Sequence, residues 1–325
     1  MGELPEFHAE VSVRRAGYAW ETVGSDRQGK LVYADKDADG TSAVPENLFR
    51  NYNLFEEASA LFRIFAELGP LDAFTAEDKQ SRQRSRAEFG RAVIAFANKY
   101  GVPQADDSGG FLPEVPSARA IGWLIAEMQL ALALWDAIKV KDKKAIAAIA
   151  QPDKELGWRV TFMGYEFTPV SRATRAFMRE LRPEWDVHSR RGDEFALALQ
   201  ILEFLIARRN DAQLEFVELR RGLLAIRTRT KSLLSAMWLQ LAMAIVENKE
   251  YRRCELCEKP FELKQRCGGR QGREDKRFCT DSCRVTAYQR RKVLAKKMRS
   301  DGANLRDIVR AVESDLSTVK KWLKE

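Results

Sequence analysis

The sequence predicts a mainly α-helical protein with small β elements (α+β), and three observations carry that prediction. Apolar residues recur with helical spacing in five long segments, whereas few segments alternate like a strand. Hydrophobic residues make up 45% of the 325 residues, enough for a large core. Four of the five cysteines form two close pairs near the C-terminal end, which indicates a separate small module. We therefore expect three parts, over residues 1–250, 251–299 and 300–325.

The first part is predicted to be a helical domain because its apolar residues fall at i, i+3, i+4 and i+7. The predicted helices are Leu54 to Leu68, Phe89 to Tyr100, Ala120 to Ile138, Phe195 to Ile206 and Leu233 to Val246. Strands are expected at Trp158 to Phe167 and in a hairpin of residues 214–219 and 223–226. Long loops are expected at 75–87 and 102–116. We expect this domain to sense a ligand or to form a homodimer.

The sequence predicts neither secretion nor insertion into a membrane. Residues 1–6 lack a basic region followed by an apolar run, so no secretion signal is expected. The most apolar segment, 120–138, is interrupted by Glu127, Gln129 and Asp136, which favours a buried core helix over a membrane span. Five cysteines, four of them in one cluster, are typical of a reducing compartment. The sequence therefore predicts a cytoplasmic protein with no membrane contact.

The two cysteine pairs have the spacing of a zinc site. The pairs are Cys254-x2-Cys257 and Cys279-x3-Cys283. Each pair can turn two thiolates towards one ion, and four thiolates complete the tetrahedral coordination of Zn²⁺. Because no position is left for water, we expect a structural ion and no catalytic role for it. Cys267 fits neither pair, and its role stays open.

The residues around the cysteines predict the layout of a treble-clef finger. Phe261 and Phe278 place an aromatic side chain near each pair. Thr280 and Asp281 are good N-cap residues, and no helix breaker follows them as far as residue 292. Cys283 is therefore expected in the first turn of a helix. A knuckle would supply two ligands, a hairpin would follow, and a helix start would supply the other two.

The second half of this segment resembles bacterial zinc fingers of the pattern R-[FY]-C-S-x-x-C-R-x-x-x-[YH]-R-R. Here the segment reads RFCTDSCRVTAYQR, from Arg277 to Arg290. It is more remotely similar to the CGNR finger of stress-induced transcriptional regulators, in which a helical N-terminal domain precedes a finger of this type. This chain has CRVT at 283–286 where that family has CGNR. The resemblance implies a structural zinc ion and a regulatory role.

Charge points to a partner for the finger. Residues 251–299 contain 16 Lys and Arg against 6 Asp and Glu, a net charge of +10, whereas 300–325 sum to zero and 1–250 to −2. A dense basic patch beside a zinc module predicts contact with duplex DNA. Binding to an acidic protein or to RNA is the alternative. The expected phosphate contacts on the finger helix are Arg284, Arg290, Arg291, Lys296 and Lys297.

After Asp301-Gly302, two short helices are expected, Leu305 to Glu313 and Leu316 to Leu323. The second would bury Val319, Trp322 and Leu323. Its exposed residues would be Ser317, Thr318, Lys320 and Lys321, which suit a major groove and its phosphates. The segment STVKKWL resembles the recognition helix of helix-turn-helix proteins. If the finger helix continues through Met298, it could serve as the first helix of a three-helix unit; a hairpin packed on the body is the alternative.

An acidic segment matches the ligand pattern of an EF-hand calcium loop, D-x-D-x-D-G-x5-E. Its oxygen ligands would be Asp35, Asp37, Asp39, the carbonyl of Thr41 and Glu46. However, Ser42 stands where EF-hands have an apolar residue, Pro45 is unusual there, and there is no second loop. An ordinary acidic turn is the preferred interpretation.

Catalytic motifs are not found in the sequence. Its two histidines, His8 and His188, lie far from the cysteines, and no nucleophile elbow, metalloprotease motif, P-loop or dinucleotide motif occurs. We therefore expect a zinc-containing DNA-binding protein, a bacterial transcriptional regulator, and no enzyme. The alternatives are an adaptor whose finger binds protein or RNA, and an enzyme with an unrecognised N-terminal active site.

Overall fold

The computed structural model describes residues 10–14, 18–23, 28–33, 49–54, 58–69, 79–102, 117–153, 157–163, 165–167, 193–210, 213–219, 223–230, 232–263 and 276–324. The chain divides into two compact units, Met1–Glu247 and Asn248–Glu325, here called unit 1 and unit 2. Helices predominate among the described residues, and the strands there form small antiparallel pairs. The predicted fold class is therefore confirmed.

Unit 1 contains six described helices and nine described strands. The helices are α1 (Leu61–Ala66), α2 (Lys79–Tyr100), α3 (Ala118–Lys139), α4 (Lys143–Ile149), α5 (Glu194–Arg209) and α6 (Leu233–Val246). The strands are β1 (Glu10–Arg14), β2 (Tyr18–Val23), β3 (Gln28–Tyr33), β4 (Phe49–Asn53), β5 (Ala150–Asp153), β6 (Gly157–Phe162), β7 (Tyr165–Phe167), β8 (Gln213–Leu219) and β9 (Leu223–Arg229). They pair as β1 with β4, β2 with β3, β5-β6-β7 and β8 with β9.

Helix α3 is the central helix of unit 1. Ser117 caps its start by accepting a hydrogen bond from the Ala120 N–H, and the helix packs against α1, α4 and α5. Its buried Glu127 pairs with Arg209 of α5 at 2.8 Å. Among the described residues, α3 is long and apolar enough to span a membrane, and 67% of that apolar window is buried. The same burial is found in core helices of other proteins.

Two predicted elements of unit 1 differ from the structure. The segment predicted as one strand, Trp158 to Phe167, forms two strands, β6 and β7, which pair with each other in antiparallel register. Of the predicted helix from Leu54 to Leu68, α1 covers Leu61–Ala66, and residues 55–57 lie outside the described residues. The predicted loop at 75–87 is wrong from Lys79 onwards, where α2 begins. Residues 79–86 read KQSRQRSR and contain no apolar residue. The sequence therefore showed no apolar stripe that would have predicted a helix there.

Unit 2 contains two strands and three helices. They are β10 (Glu250–Arg253), β11 (Pro260–Leu263), α7 (Asp281–Ser300), α8 (Leu305–Ala311) and α9 (Leu316–Lys324). Strands β10 and β11 pair in antiparallel register, with Arg253 opposite Pro260. Helix α7 ends where the Gly302 N–H donates to the Arg299 carbonyl and the Ala303 N–H to Met298. Gly302 has φ +86°, a backbone conformation that favours glycine.

The second half of α7 forms a three-helix core with α8 and α9. The buried residues of this core are Ala295, Ile308, Val312, Val319 and Trp322. Met298, Ala303, Leu305, Val309 and Leu323 pack around them. The helix that starts at the second cysteine pair therefore continues without a break into the core of the last two helices.

Candidate metal centre and basic surface

The first cysteine pair lies in a tight turn between β10 and β11. The Cys254 N–H donates to the Lys259 carbonyl at 3.0 Å, and the Glu258 N–H donates to the Cys254 carbonyl at 2.8 Å. Glu258 has φ +59°, the left-handed conformation that lets the chain reverse directly after Cys257. The turn therefore directs both thiols of this pair towards the second pair.

The second pair lies at the start of α7. Thr280 is the N-cap residue, and its hydroxyl accepts a hydrogen bond from the Cys283 N–H at 3.2 Å. This cap places Cys283 in the first turn, with Cys279 immediately before the cap. The Glu255 N–H donates to the Arg277 carbonyl at 3.1 Å and so holds the two segments together.

The four sulfur atoms converge on one point. The Sγ atoms of Cys254, Cys257, Cys279 and Cys283 all lie within 4.8 Å of one another. The distance is 3.6 Å from Cys257 to Cys279 and 3.5 Å from Cys279 to Cys283. Zn–S bonds of about 2.3 Å in a tetrahedron would separate the sulfurs by about 3.8 Å. The cluster therefore has the size and donor set for one tetrahedral metal ion.

Without a metal ion, the cysteines of the cluster differ in how readily they ionise. Burial raises the pKa of Cys279 to about 12, together with the three neighbouring thiols. Burial also raises the pKa of Cys257. At Cys254 burial acts in the same direction, but backbone N–H groups, those of Cys257 and Cys279 first, outweigh it and lower the pKa to about 6. A cation bound by the four sulfur atoms would stabilise their thiolate forms and so oppose the effect of burial at Cys257 and Cys279.

Arg277 connects the turn of the first cysteine pair with the segment between the last two helices. Its guanidinium pairs with Glu255 in the first turn and with Glu313, where the Nη2–Oε2 distance is 3.2 Å. Hydrogen bonds to Glu255 and then Glu313 raise the pKa of Arg277. Glu313 lies between α8 and α9 and has φ +45°. Sequence reasoning missed this bridge because no local pattern relates residues 36 positions apart.

The predicted phosphate contacts on α7 differ in exposure. Arg290, Lys296 and Lys297 are exposed. Arg284 is exposed too, but pairs with Asp281 at 3.1 Å. Arg291 is half-buried because it lies on the same stripe as core residues Ala295 and Met298, four and seven positions further on. Three of the five cations are therefore well placed to meet a large partner.

Helix α9 carries the other predicted contacts. Ser317, Lys320 and Lys321 are exposed, whereas Thr318 is half-buried and its hydroxyl donates to Asp315 at 2.8 Å. The structure adds exposed cations that sequence reasoning missed, namely Arg306 and Arg310 on α8 and Lys324 on α9. Helical spacing already relates Lys324 to Ser317, Lys320 and Lys321, since these residues lie at i, i+3, i+4 and i+7.

Among the described residues, the cysteine cluster is the one group of three or more His, Cys, Asp or Glu that can hold an ion. The predicted calcium loop, with Asp35, Asp37, Asp39 and Glu46, lies outside the described residues, as does Cys267. The chain matches no known protein family, no curated protein and no solved structure. The similarity to CGNR fingers therefore rests on the motif residues alone.

Proposed function

We propose that this protein is a zinc-containing DNA-binding protein and acts as a transcriptional regulator of the bacterial type in the cytoplasm. The observation that carries the proposal is the continuity of α7. Its first turn holds Cys283 of the metal cluster, and its second half supplies Ala295 to the three-helix core. A metal at the cluster would therefore stabilise the helices that carry the exposed cations.

The metal in this proposal is a structural zinc ion. Cys254, Cys257, Cys279 and Cys283 would hold it, and its chemistry would be coordination of four thiolates. The turn between β10 and β11 and the cap at Thr280 already position the thiols for that geometry. No coordination position would be left for a substrate, which supports a binding role over an enzymatic one.

Helix α9 is proposed to enter the major groove as the last helix of a helix-turn-helix unit. Its inner side is fixed by buried Val319 and Trp322, so the lysine-rich side faces outward. Arg290, Lys296 and Lys297 of α7 would neutralise phosphates. Unit 1 would sense a ligand or join two copies, and a homodimer would present two α9 helices to two half-sites.

A second candidate is an adaptor whose finger binds another protein or RNA. Val285 and Val293 on α7 have 54% and 66% of their surface exposed, and a protein partner could cover these apolar side chains. Single exposed apolar residues are nevertheless common on soluble proteins. The exposed lysines of α9 favour DNA over this alternative.

The experiment that tests the proposal is a titration of fluorescent duplex DNA, duplex RNA and single-stranded RNA with the purified chain over a range of salt concentrations. Regulation by DNA contact requires tight duplex DNA binding that weakens steeply as salt rises. Negligible binding of duplex DNA at low salt would refute the proposal. Capture of RNA in preference to DNA would support the adaptor.

A further inference from the structure

The outward face of α9 is chemically one-sided. Helix α9 has five exposed positions: Leu316 in its first turn, and four that share one face. Three of these four are lysines, which carry hydrogen-bond donors and no acceptor. The four positions are Ser317, Lys320, Lys321 and Lys324. The opposite face holds the buried side chains of Val319 and Trp322, so α9 cannot turn another face outward without losing its core.

Ser317 does not add a free donor to this face. Its hydroxyl donates to Asp315 Oδ1, which also accepts from the Thr318 N–H at 2.8 Å. These hydrogen bonds, that from Ser317 first, hold the pKa of Asp315 below its usual range, so its carboxylate stays ionised and keeps the serine proton engaged. The free donors of the face therefore all belong to lysines.

The major groove offers a matching pattern at one base. Guanine presents two acceptors, N7 and O6, whereas adenine and cytosine each present an amino donor and thymine a methyl group beside one acceptor. Asn and Gln, which read adenine, and Asp and Glu, which accept from cytosine, do not occur at the four outward positions. The lysine donors of this face therefore complement guanine better than any other base.

We propose that α9 selects guanines in the major groove, with Lys320 donating to guanine N7 and O6. Residues near the start of a recognition helix meet base edges, and Lys320 lies in the second turn after Asp315. Lys321 and Lys324 lie nearer the end of the helix and reach the flanking phosphates. This inference rests on the proposed function, because it describes how the same surface distinguishes one duplex from another.

The first test is selection of duplexes from a random library by the full chain, followed by modified bases in the selected site. We expect adjacent guanines on one strand to be enriched. Replacing them with 7-deazaguanine, which lacks the N7 acceptor, should lower affinity by about 10-fold. Replacing them with inosine, which changes only the minor-groove edge of the base, should leave the contact in place. Equal affinity for the guanine and 7-deazaguanine duplexes would overturn the inference.

The second test uses two matched lysine variants. Lys320→Met should lose the 10-fold discrimination against 7-deazaguanine while it keeps binding to random duplexes. Lys296→Met should weaken binding to both duplexes equally, because a phosphate contact carries no base information. Duplex binding without any guanine preference would overturn this inference alone. Absence of duplex binding at low salt would overturn both this inference and the proposed function. The two failures are therefore distinguishable.

Discussion

The indole Nε1 of Trp322 donates a 2.6 Å hydrogen bond to the hydroxyl of Tyr288, and the two rings meet edge to face with centroids 5.2 Å apart. Tyr288 lies five residues after Cys283 of the cysteine cluster on α7, and Trp322 lies on α9. This contact joins the half of α7 that begins at the cysteine cluster to the helix proposed to enter the groove. The stability of that helix therefore depends on two residues 34 positions apart.

Replacement of Trp322 should open the three-helix core. Its side chain is 1% exposed, so Trp322→Ala should lower the stability of unit 2 by about 3–5 kcal/mol. Tyr288→Phe keeps the ring and removes only the hydroxyl, which should cost about 1–3 kcal/mol by leaving the indole N–H without its partner. Hydrogen exchange followed by mass spectrometry would localise the effect. Unchanged exchange in α8 and α9 of Trp322→Ala would show that this core does not hold the helices.

Loss of one cysteine of the cluster should unfold the finger in unit 2 and leave unit 1 folded. Zinc binding to isolated fingers is worth on the order of 10 kcal/mol, so Cys279→Ser should lose the metal and unfold the finger. The helices of unit 1 should stay folded because their core contains none of the cluster residues. Cys267→Ser is the matched control and should retain one zinc per chain. Elemental analysis and limited proteolysis measure both effects; wild-type protein without zinc would contradict the prediction.

Local sequence signals predicted some elements well and others poorly. The predicted helix from Leu233 to Val246 coincides with α6, because a dense apolar run and a Ser232 cap mark both its course and its start. The cysteine spacing likewise identified a cluster that the structure assembles, because each pair is local in sequence. Helix α4 was missed, since it is only seven residues long and buries only Ile146.

Contacts between distant residues could not be predicted from these patterns. Gln240 donates to the carbonyls of Leu54 and Ala58, which lie more than 180 positions away, so no local pattern indicates this contact. The half-buried position of Arg291 follows from the packing of α8 and α9 onto α7, whereas its charge alone suggested a phosphate contact. Tertiary contacts therefore decide which members of a charged or apolar stripe face solvent.

Acid should release the metal. Burial raises the metal-free pKa of Cys279 to about 12 and also raises that of Cys257, so zinc must displace their protons at neutral pH. Protons therefore compete with zinc, and apparent affinity should fall as pH falls. Below about pH 6 the Cys254 thiol is also protonated without metal, which should steepen the loss. Competition with a chromogenic chelator between about pH 8 and 5 measures this; constant affinity would contradict it.

Relief of backbone strain should stabilise the turn that holds Cys254 and Cys257. Glu258 has φ +59°, which costs a residue with a side chain about 1–2 kcal/mol relative to its usual conformations. Glu258→Gly should therefore raise the stability of zinc-loaded unit 2 by about 0.5–1 kcal/mol after the greater chain entropy of glycine is subtracted. Glu258→Val, which adds a β-branched side chain at the same position, should lower it. A chelator challenge followed by proteolysis would rank the resistance of the wild type, Glu258→Gly and Glu258→Val. Greater resistance of Glu258→Val than of Glu258→Gly would refute the strain argument.

Removal of one phosphate contact should change the salt dependence of DNA binding by a fixed amount. Arg290 and Lys296 are exposed on α7, and each neutralised phosphate contributes about 0.9 to the slope of log affinity against log salt. Arg290→Ala or Lys296→Ala should therefore lower the slope by about one unit on selected and random duplexes alike. Lys144→Ala removes an exposed cation from α4 of unit 1 and should leave the slope unchanged. An equal reduction by all three substitutions would mean that net charge, and not the surface of α7, determines the contact.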